Sequence, residues 1–220
     1  LPTHQATDEQ LSSSSKATEA LLWAMPAFAN NYKTVDGGDY DWGYGSLMHI
    51  RDVMTDEMVI IESGYDHYSA WEHNQYIGPN YLSTQFIWNY FWKFVQTTNN
   101  MIGAINPESA SETQLGYLGA AYGYRAFIYL DMARMFEFLE NDGTSPTNSS
   151  GNNVLNLTVP IVTEEVTEEA ARNNPRVNRQ EMYEFILSDL NKAEEYIPNF
   201  HRSTKTVSYT HLTLPTTSRV

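Results

Sequence analysis

The chain has 220 residues, 41% of them hydrophobic, which is enough to bury one sizeable core. Its formal charge of −14 argues against a nucleic-acid partner and against charge-driven adhesion to anionic lipid, and favours neutral ligands or a partner protein with basic patches. The absence of cysteine excludes disulfides, thiolate catalysis and cysteine-bound zinc within the chain, and no apolar run approaches the ~18 residues of a membrane span.

The opening LPTHQATDEQ carries neither an initiator Met nor a signal-peptide pattern, and reads as processed or truncated. Thr7 with Gln10 fits a capping box, and Asp8 and Glu9 suit the positive end of a helix dipole, so a first helix is expected from there to about Asn30. Leu11, Ala17, Leu21, Ala24, Met25 and Phe28 recur on roughly one face of it, and Pro26 should kink or interrupt it. Residues 31–45, NYKTVDGGDYDWGYG, hold glycines among aromatics and Asp and predict a loop. Ser46 is placed to cap a second helix, SLMHIRDVMTDEMV. Residues 62–80 are a second polar, aromatic loop, and Pro79 opens a strong helix to about Ile105 with Phe86, Ile87, Tyr90, Phe91, Phe94, Val95, Met101 and Ile102 as its buried stripe.

Asn106-Pro107 ends that helix, and Ser109 or Ser111, with Glu112 or Gln114 three residues on, caps the next, GYLGAAYGYRAFIYLDMARMFEFLE, read over Gly116–Glu140. Gly116, Gly119, Ala120 and Gly123 offer a flat surface for close backbone approach in its first half. Tyr124, Phe127, Ile128, Met132, Met135, Phe136 and Leu139 continue the stripe as knobs. The turn between the two helices is short, so they should pack antiparallel. Arg125, Asp131 and Arg134 read as structural ion pairing, with Asp131 and Arg134 matched three residues apart. After the flexible NDGTSPTNSSGNN, the β-branched residues around Pro160 in VLNLTVPIVT predict extended chain. The segment after it, EEVTEEAARNNPRV, is polar with room for one helical turn. Asn178 and Glu181 fit another capping box, and the helix QEMYEFILSDLNKAEEYI follows with Met182, Phe185, Ile186, Leu190 and Ala193 inward until Pro198 stops it.

The tail stands apart. All ten residues of VSYTHLTLPT, 207–216, resemble the translation of a transposase-type sequencing-library adapter. Residues 207–220 are therefore read as an adapter-derived artefact and 1–206 as an incomplete domain whose C-terminal continuation is missing.

The helices predict an all-α fold of irregular tetratricopeptide-like repeats with long loops, the loop of 141–177 breaking the usual period. An ordered series of blocks carries a more specific resemblance: ATDEQL, the helix IWNYFWKFVQTTNNMIGAI, then YLGAAYGYRAFIYLDMARMFEFL with its YRA-x3-Y-x-D-x2-R pattern, the loop NVLNLTVPIVTE, and NNPRVNRQEMYEFILSDLNKAEEYIP. Over roughly residues 5–200 the chain resembles the N-terminal part of the SusD/RagB family of outer-membrane nutrient-binding lipoproteins of Bacteroidetes. The resemblance implies a non-enzymatic protein on the extracellular face of the outer membrane, held by a lipidated cysteine that would lie upstream of Leu1. It also implies capture of oligosaccharides, or peptides in some branches, for a SusC-like TonB-dependent transporter.

Sugar rings expose apolar C–H faces, so aromatic platforms flanked by amides and carboxylates are the expected ligand contacts. The two aromatic loops supply those residue types, and Trp42, Trp71, Asn74, Tyr76 and Tyr81 are the candidate ligand-binding residues. The competing reading is that these rings pack the loops onto the helices. Trp88 and Trp92, one turn apart, read as core, and Asn99-Asn100 as helix-to-loop hydrogen bonding.

Catalytic, metal and cofactor readings are weaker. Asp36, Asp39 and Asp41 with Gly37 and Gly38 offer hard oxygens for Ca²⁺, but their spacing departs from an EF-hand loop, so a solvated turn is expected and no metal is assigned. His49, His67 and His73 are scattered, and no nucleophile elbow, phosphate loop or dinucleotide fingerprint is present. Glu164-Glu165 and Glu168-Glu169 read as a solvated face rather than a hydrolytic pair. No cofactor is expected. The rival to glycan capture is a helical-repeat adaptor that binds protein through its concave face.

Overall fold

The computed structural model describes residues 15–36, 38–61, 67–74, 77–78, 80–140 and 145–200. Among the described residues the chain is helical: α1 (Ser15–Ala29), α2 (Tyr44–Val53), α3 (Leu82–Gly103), α4 (Glu112–Phe136), α5 (Glu168–Arg172) and α6 (Arg179–Tyr196), with 3-10 helices at Ser69–Asn74 and Ile197–Asn199. This is the expected all-α, tetratricopeptide-like arrangement. The Thr7 capping box and the 207–220 tail lie outside the described residues.

The spine is α4, clasped between α3 and α6, with α1 also against it. Its start follows the sequence signal: Ser111 Oγ accepts from Gln114 N at 3.3 Å, and Gln114 Oε1 accepts from Ser111 N at 3.0 Å, a reciprocal cap that contributes about 1 kcal/mol. Phe86, Tyr90, Phe91, Phe94, Met101 and Ile102 of α3 meet Leu118, Tyr129 and Met132 of α4 in one core. Each such side chain, fully buried, contributes about 1.5–3 kcal/mol by its removal from water. Small residues do permit close approach: a Cβ on Gly116 would stand 2.6 Å from Phe200 Cα, and one on Gly119 2.8 Å from Ile197 N. The backbone they admit is the turn after α6.

The second half of the predicted stripe holds at Ile128 and Met132, which are fully buried, and is corrected at two positions. Phe127 and Leu139 are 41% and 42% exposed, while Arg125, Ala126, Tyr129 and Asp131 are buried. Enclosed by three helices, α4 has no single solvent face, so a one-sided stripe underestimates what it buries. The helix also stops at Phe136, because Glu137 turns extended and Phe138 pairs as a parallel bridge with Leu155.

Other boundaries shift for local reasons. The first helix continues through Pro26 to Ala29; the missing N–H falls near the helix end, where Asn30 Nδ2 donates to Pro26 O at 2.9 Å. Gly43, not Ser46, precedes α2, with φ of +82° that glycine tolerates best, and a Cβ there would collide with the Ala29 carbonyl. Ser46 lies inside α2 and donates its hydroxyl to Tyr40 O. That helix closes at Val53, earlier than expected.

The return segment is extended as predicted: Leu157 bridges Asn178, Thr158 N donates to Val177 O at 2.8 Å, and Val159 is fully buried. Tyr129 OH both donates to Val162 O, at 3.0 Å, and accepts from Val162 N, at 2.8 Å. Thr167 caps the short α5, and Asn178 Oδ1 caps α6 by accepting from Glu181 N at 2.9 Å. In α6, Met182 and Ile186 point inward as expected, but Leu190 is 45% exposed and Asp189 takes the buried position.

Asp189 is buried because Arg125 is. The Arg125 guanidinium donates Nε and Nη2 to the two Asp189 oxygens at 2.7 and 2.9 Å, and Nη1 to Asn99 Oδ1 at 2.9 Å and Glu164 Oε2 at 2.5 Å. Its planar fork matches a carboxylate bidentately. Burial alone would lower the guanidinium pKa, but the bonds and charge of Asp189 and Glu164 outweigh it and hold the value well above the usual range. Asn99 completes the link, its Nδ2 donating to Val162 O at 2.9 Å. Glu164 therefore belongs to the core network and not to a solvated face. Asp131 also departs from expectation: it accepts from Arg51 Nη2 at 2.6 Å and from Tyr44 OH at 3.0 Å, across from α2, in place of Arg134.

Candidate functional site

The loop between α1 and α2 is folded around Asp41. Its carboxylate is fully buried, and Oδ2 accepts from Val35 N at 2.7 Å and Asp36 N at 3.1 Å. Asp36 accepts from Gly38 N at 2.9 Å and Tyr40 OH at 2.6 Å, and Asp39 pairs with Lys33 at 2.5 Å. These carboxylates are turned to protein donors, each toward a different one. The compact turn presents Tyr40 inward and Trp42 outward.

Tyr40 stands edge-on to Trp71, with ring centroids 4.9 Å apart, and to Phe86 of α3 at 5.1 Å. This contact docks the first aromatic loop and the 3-10 helix of the second on the same core. Trp71 is fully buried. It is therefore core, and its role as a direct ligand contact is corrected: the indole fills the floor beneath the loops.

Trp42 remains 40% exposed. Its Nε1 donates to Tyr68 OH, and Tyr68 in turn meets His49 edge-on at 4.3 Å and Trp71 at 5.9 Å. His49 lies 6.3 Å from the Trp42 ring. The partly buried Tyr68 hydroxyl has its pKa pushed up, chiefly by desolvation, so it stays neutral at physiological pH. Trp42 is thus a braced, half-open indole with a hydroxyl and an imidazole beside it, a surface suited to an apolar C–H face edged by hydroxyls.

Of the other predicted residues, Tyr81 is 44% exposed at the N-cap of α3, beside Gly78. Asn74 ends the 3-10 helix, and Tyr76 lies outside the described residues. Sequence reasoning left His49 among scattered histidines. Helical spacing does not link it to Trp42, because Gly43 leaves the helical conformation before α2 begins; Tyr68, 26 residues beyond Trp42, brings the two rings together. Trp88 and Trp92 are core as expected, half-buried and edge-on to each other at 5.4 Å, with Trp88 against Phe136 and Trp92 against Tyr129.

The chain matches, over residues 5–217, the model of the SusD-like family described as starch-binding and associating with the outer membrane. Among solved structures it is similar to a SusD-like carbohydrate binding protein from Bacteroides vulgatus ATCC 8482. That likeness has 21% identity and a TM-score of 0.62, and it covers 86% of this chain and 37% of the other. The present chain thus spans well under half the length of that relative. No curated protein matches it. No described helix is long and apolar enough to cross a membrane. A family match across nearly the whole sequence, joined to a shared helical fold, places the chain in the SusD-like family.

Proposed function

We propose that the chain is the N-terminal helical part of a cell-surface protein that captures oligosaccharide by binding, without cleaving it, and passes it to a SusC-like TonB-dependent transporter. The observation that carries this reading is the family match, whose description is starch-binding. The braced, half-exposed Trp42 supports it as a stacking surface. The carboxylates nearest to it are held by Lys33, Tyr40 and backbone amides, an arrangement for folding the loop and not for proton transfer. Attachment to the outer membrane would come from a lipid anchor upstream of Leu1, with energy for transport supplied by the partner. Residues 207–220 we read as foreign, and resequencing the locus tests that.

The test is binding of linear α-glucan oligosaccharides, followed by intrinsic tryptophan fluorescence and calorimetry, with chromatography of the sugar afterwards. Saturable binding with intact sugar is expected, and Trp42→Ala should weaken it by about 1–3 kcal/mol, the scale of losing one aromatic interface anchor. Cleaved product, or unchanged affinity in Trp42→Ala, overturns the reading.

A further inference from the structure

Helix α2 has a second face. Trp42 and His49 lie on one side of it, while Tyr44 and Arg51 line the other and look across to α4. Tyr44 meets Phe127 there, ring centroids 5.2 Å apart, and shares Asp131 with Arg51. Long side chains bridge the two helices at these points. Beside them a depression of about 240 Å³ opens, lined by Arg51, Asp131, Arg134 and Met135.

Its charge is opposite to that of the molecule. The protein carries −14 overall, yet two guanidiniums and one carboxylate line this hollow. Asp131 is matched by Arg51 at 2.6 Å. Arg134 is exposed and makes no ion pair among the described residues. Arg51 uses Nη2 for Asp131 and has N–H donors on its other edges. The hollow thus holds one net positive charge, with fork-shaped donors from Arg51 and Arg134 and with Met135 as its apolar lining; the exposed Phe127 stands one turn before Asp131 on α4.

We propose that this α2–α4 hollow is a binding site for a carboxylate-bearing sugar, the carboxylate set between Arg51 and Arg134 and the ring's C–H face toward Met135. The site is separate from the Trp42 surface, and the choice of a sugar as the carboxylate's carrier rests on the glycan-capture reading. A neutral sugar can accept hydrogen bonds from the Arg134 guanidinium but forms no charge-assisted pair with it, so the hollow favours acid sugars.

The experiment titrates the full chain with galacturonate oligomers, neutral galactose oligomers of equal length, and inorganic sulfate, by calorimetry and by chemical shifts of the arginine side chains. Galacturonate should shift the Arg134 side-chain signals and bind more tightly than its neutral counterpart. Arg134→Gln should weaken it about tenfold and reduce its salt dependence, the loss of one of two charge-assisted contacts. Because Arg134 is exposed, that variant keeps the fold. Trp42→Ala serves as the second variant: failure of neutral-sugar binding there tests the capture reading, and retained galacturonate binding there supports a separate site. Equal affinity for acidic and neutral oligomers, no effect of Arg134→Gln, or sulfate binding as tight as galacturonate would overturn the proposal.

Discussion

Arg125 and Trp71 are both fully enclosed, yet their polar atoms are treated differently. Arg125 makes four hydrogen bonds, drawn from α3, α6 and the return segment, and Tyr122 and Phe185 each lie 5.3 Å from its guanidinium carbon. Trp71 Nε1 is buried with no hydrogen-bond partner among the described residues. The spine therefore depends on directional, saturated bonds that tie distant segments into one geometry. The aromatic floor depends on ring packing, whose edge-on contacts tolerate adjustment. A rigid scaffold with an adaptable surface is the division of labour that a binding protein needs.

The largest test of that contrast is Arg125→Met. It leaves Asp189 and Glu164 with uncompensated charge in the core, and should cost about 3–5 kcal/mol in denaturant unfolding. The double variant Arg125→Met with Asp189→Leu should recover much of this, because it removes the fully buried carboxylate and leaves only Glu164, which is 21% exposed and can turn to solvent; a loss equal to the single variant would break the comparison. Trp71→Phe is the counterpart. It keeps a ring in the floor and discards an N–H that has no acceptor, so a loss of only about 1–2 kcal/mol is expected, mainly from the smaller ring. A loss as large as that of Arg125→Met would show that the floor is as tightly specified as the spine.

The smallest effect belongs to the loop surface. Lys33 hydrogen-bonds Asp39, and that bond, then Tyr32, holds the Asp39 pKa below its ordinary 3.8. A carboxyl depressed in the folded state contributes stability above its unfolded pKa and loses it as pH falls through the folded value. Lys33→Met should raise the Asp39 pKa toward the ordinary range, as followed by side-chain carboxyl shifts, with a stability change too slight to separate from wild type because both groups face solvent.

What could be read from sequence divides along the same line. The long helices followed from periodicity and caps: Ser111 with Gln114 and Asn178 with Glu181 each sit where the spacing put them. The fold class and the family followed from their order. Partner choice did not. Asp131 was matched to a neighbour three residues away, whereas its partner Arg51 lies 80 residues earlier; local spacing carries no information about which distant helix arrives. Glu164 and Leu190 were misplaced for the same reason, since Arg125 recruits the first and the bond to Asp189 turns the second outward. Within the loops, composition announced aromatic rings but not their depth, so Trp42 and Trp71 looked equivalent until Tyr40 was seen to cover one of them.

The two hydrogen bonds between the Tyr129 hydroxyl and the Val162 backbone have a kinetic consequence. One phenol oxygen does for a single residue what a neighbouring strand does along a ladder, serving both the N–H and the C=O. Val162 sits in no regular element, and its amide would ordinarily exchange with solvent within the timescale of loop motion. Here its release requires Tyr129 to withdraw from the core, and Tyr129 moves only with α4. Deuterium should therefore enter at Val162 as slowly as in the centre of α4, making that lone amide a reporter of when the spine itself opens.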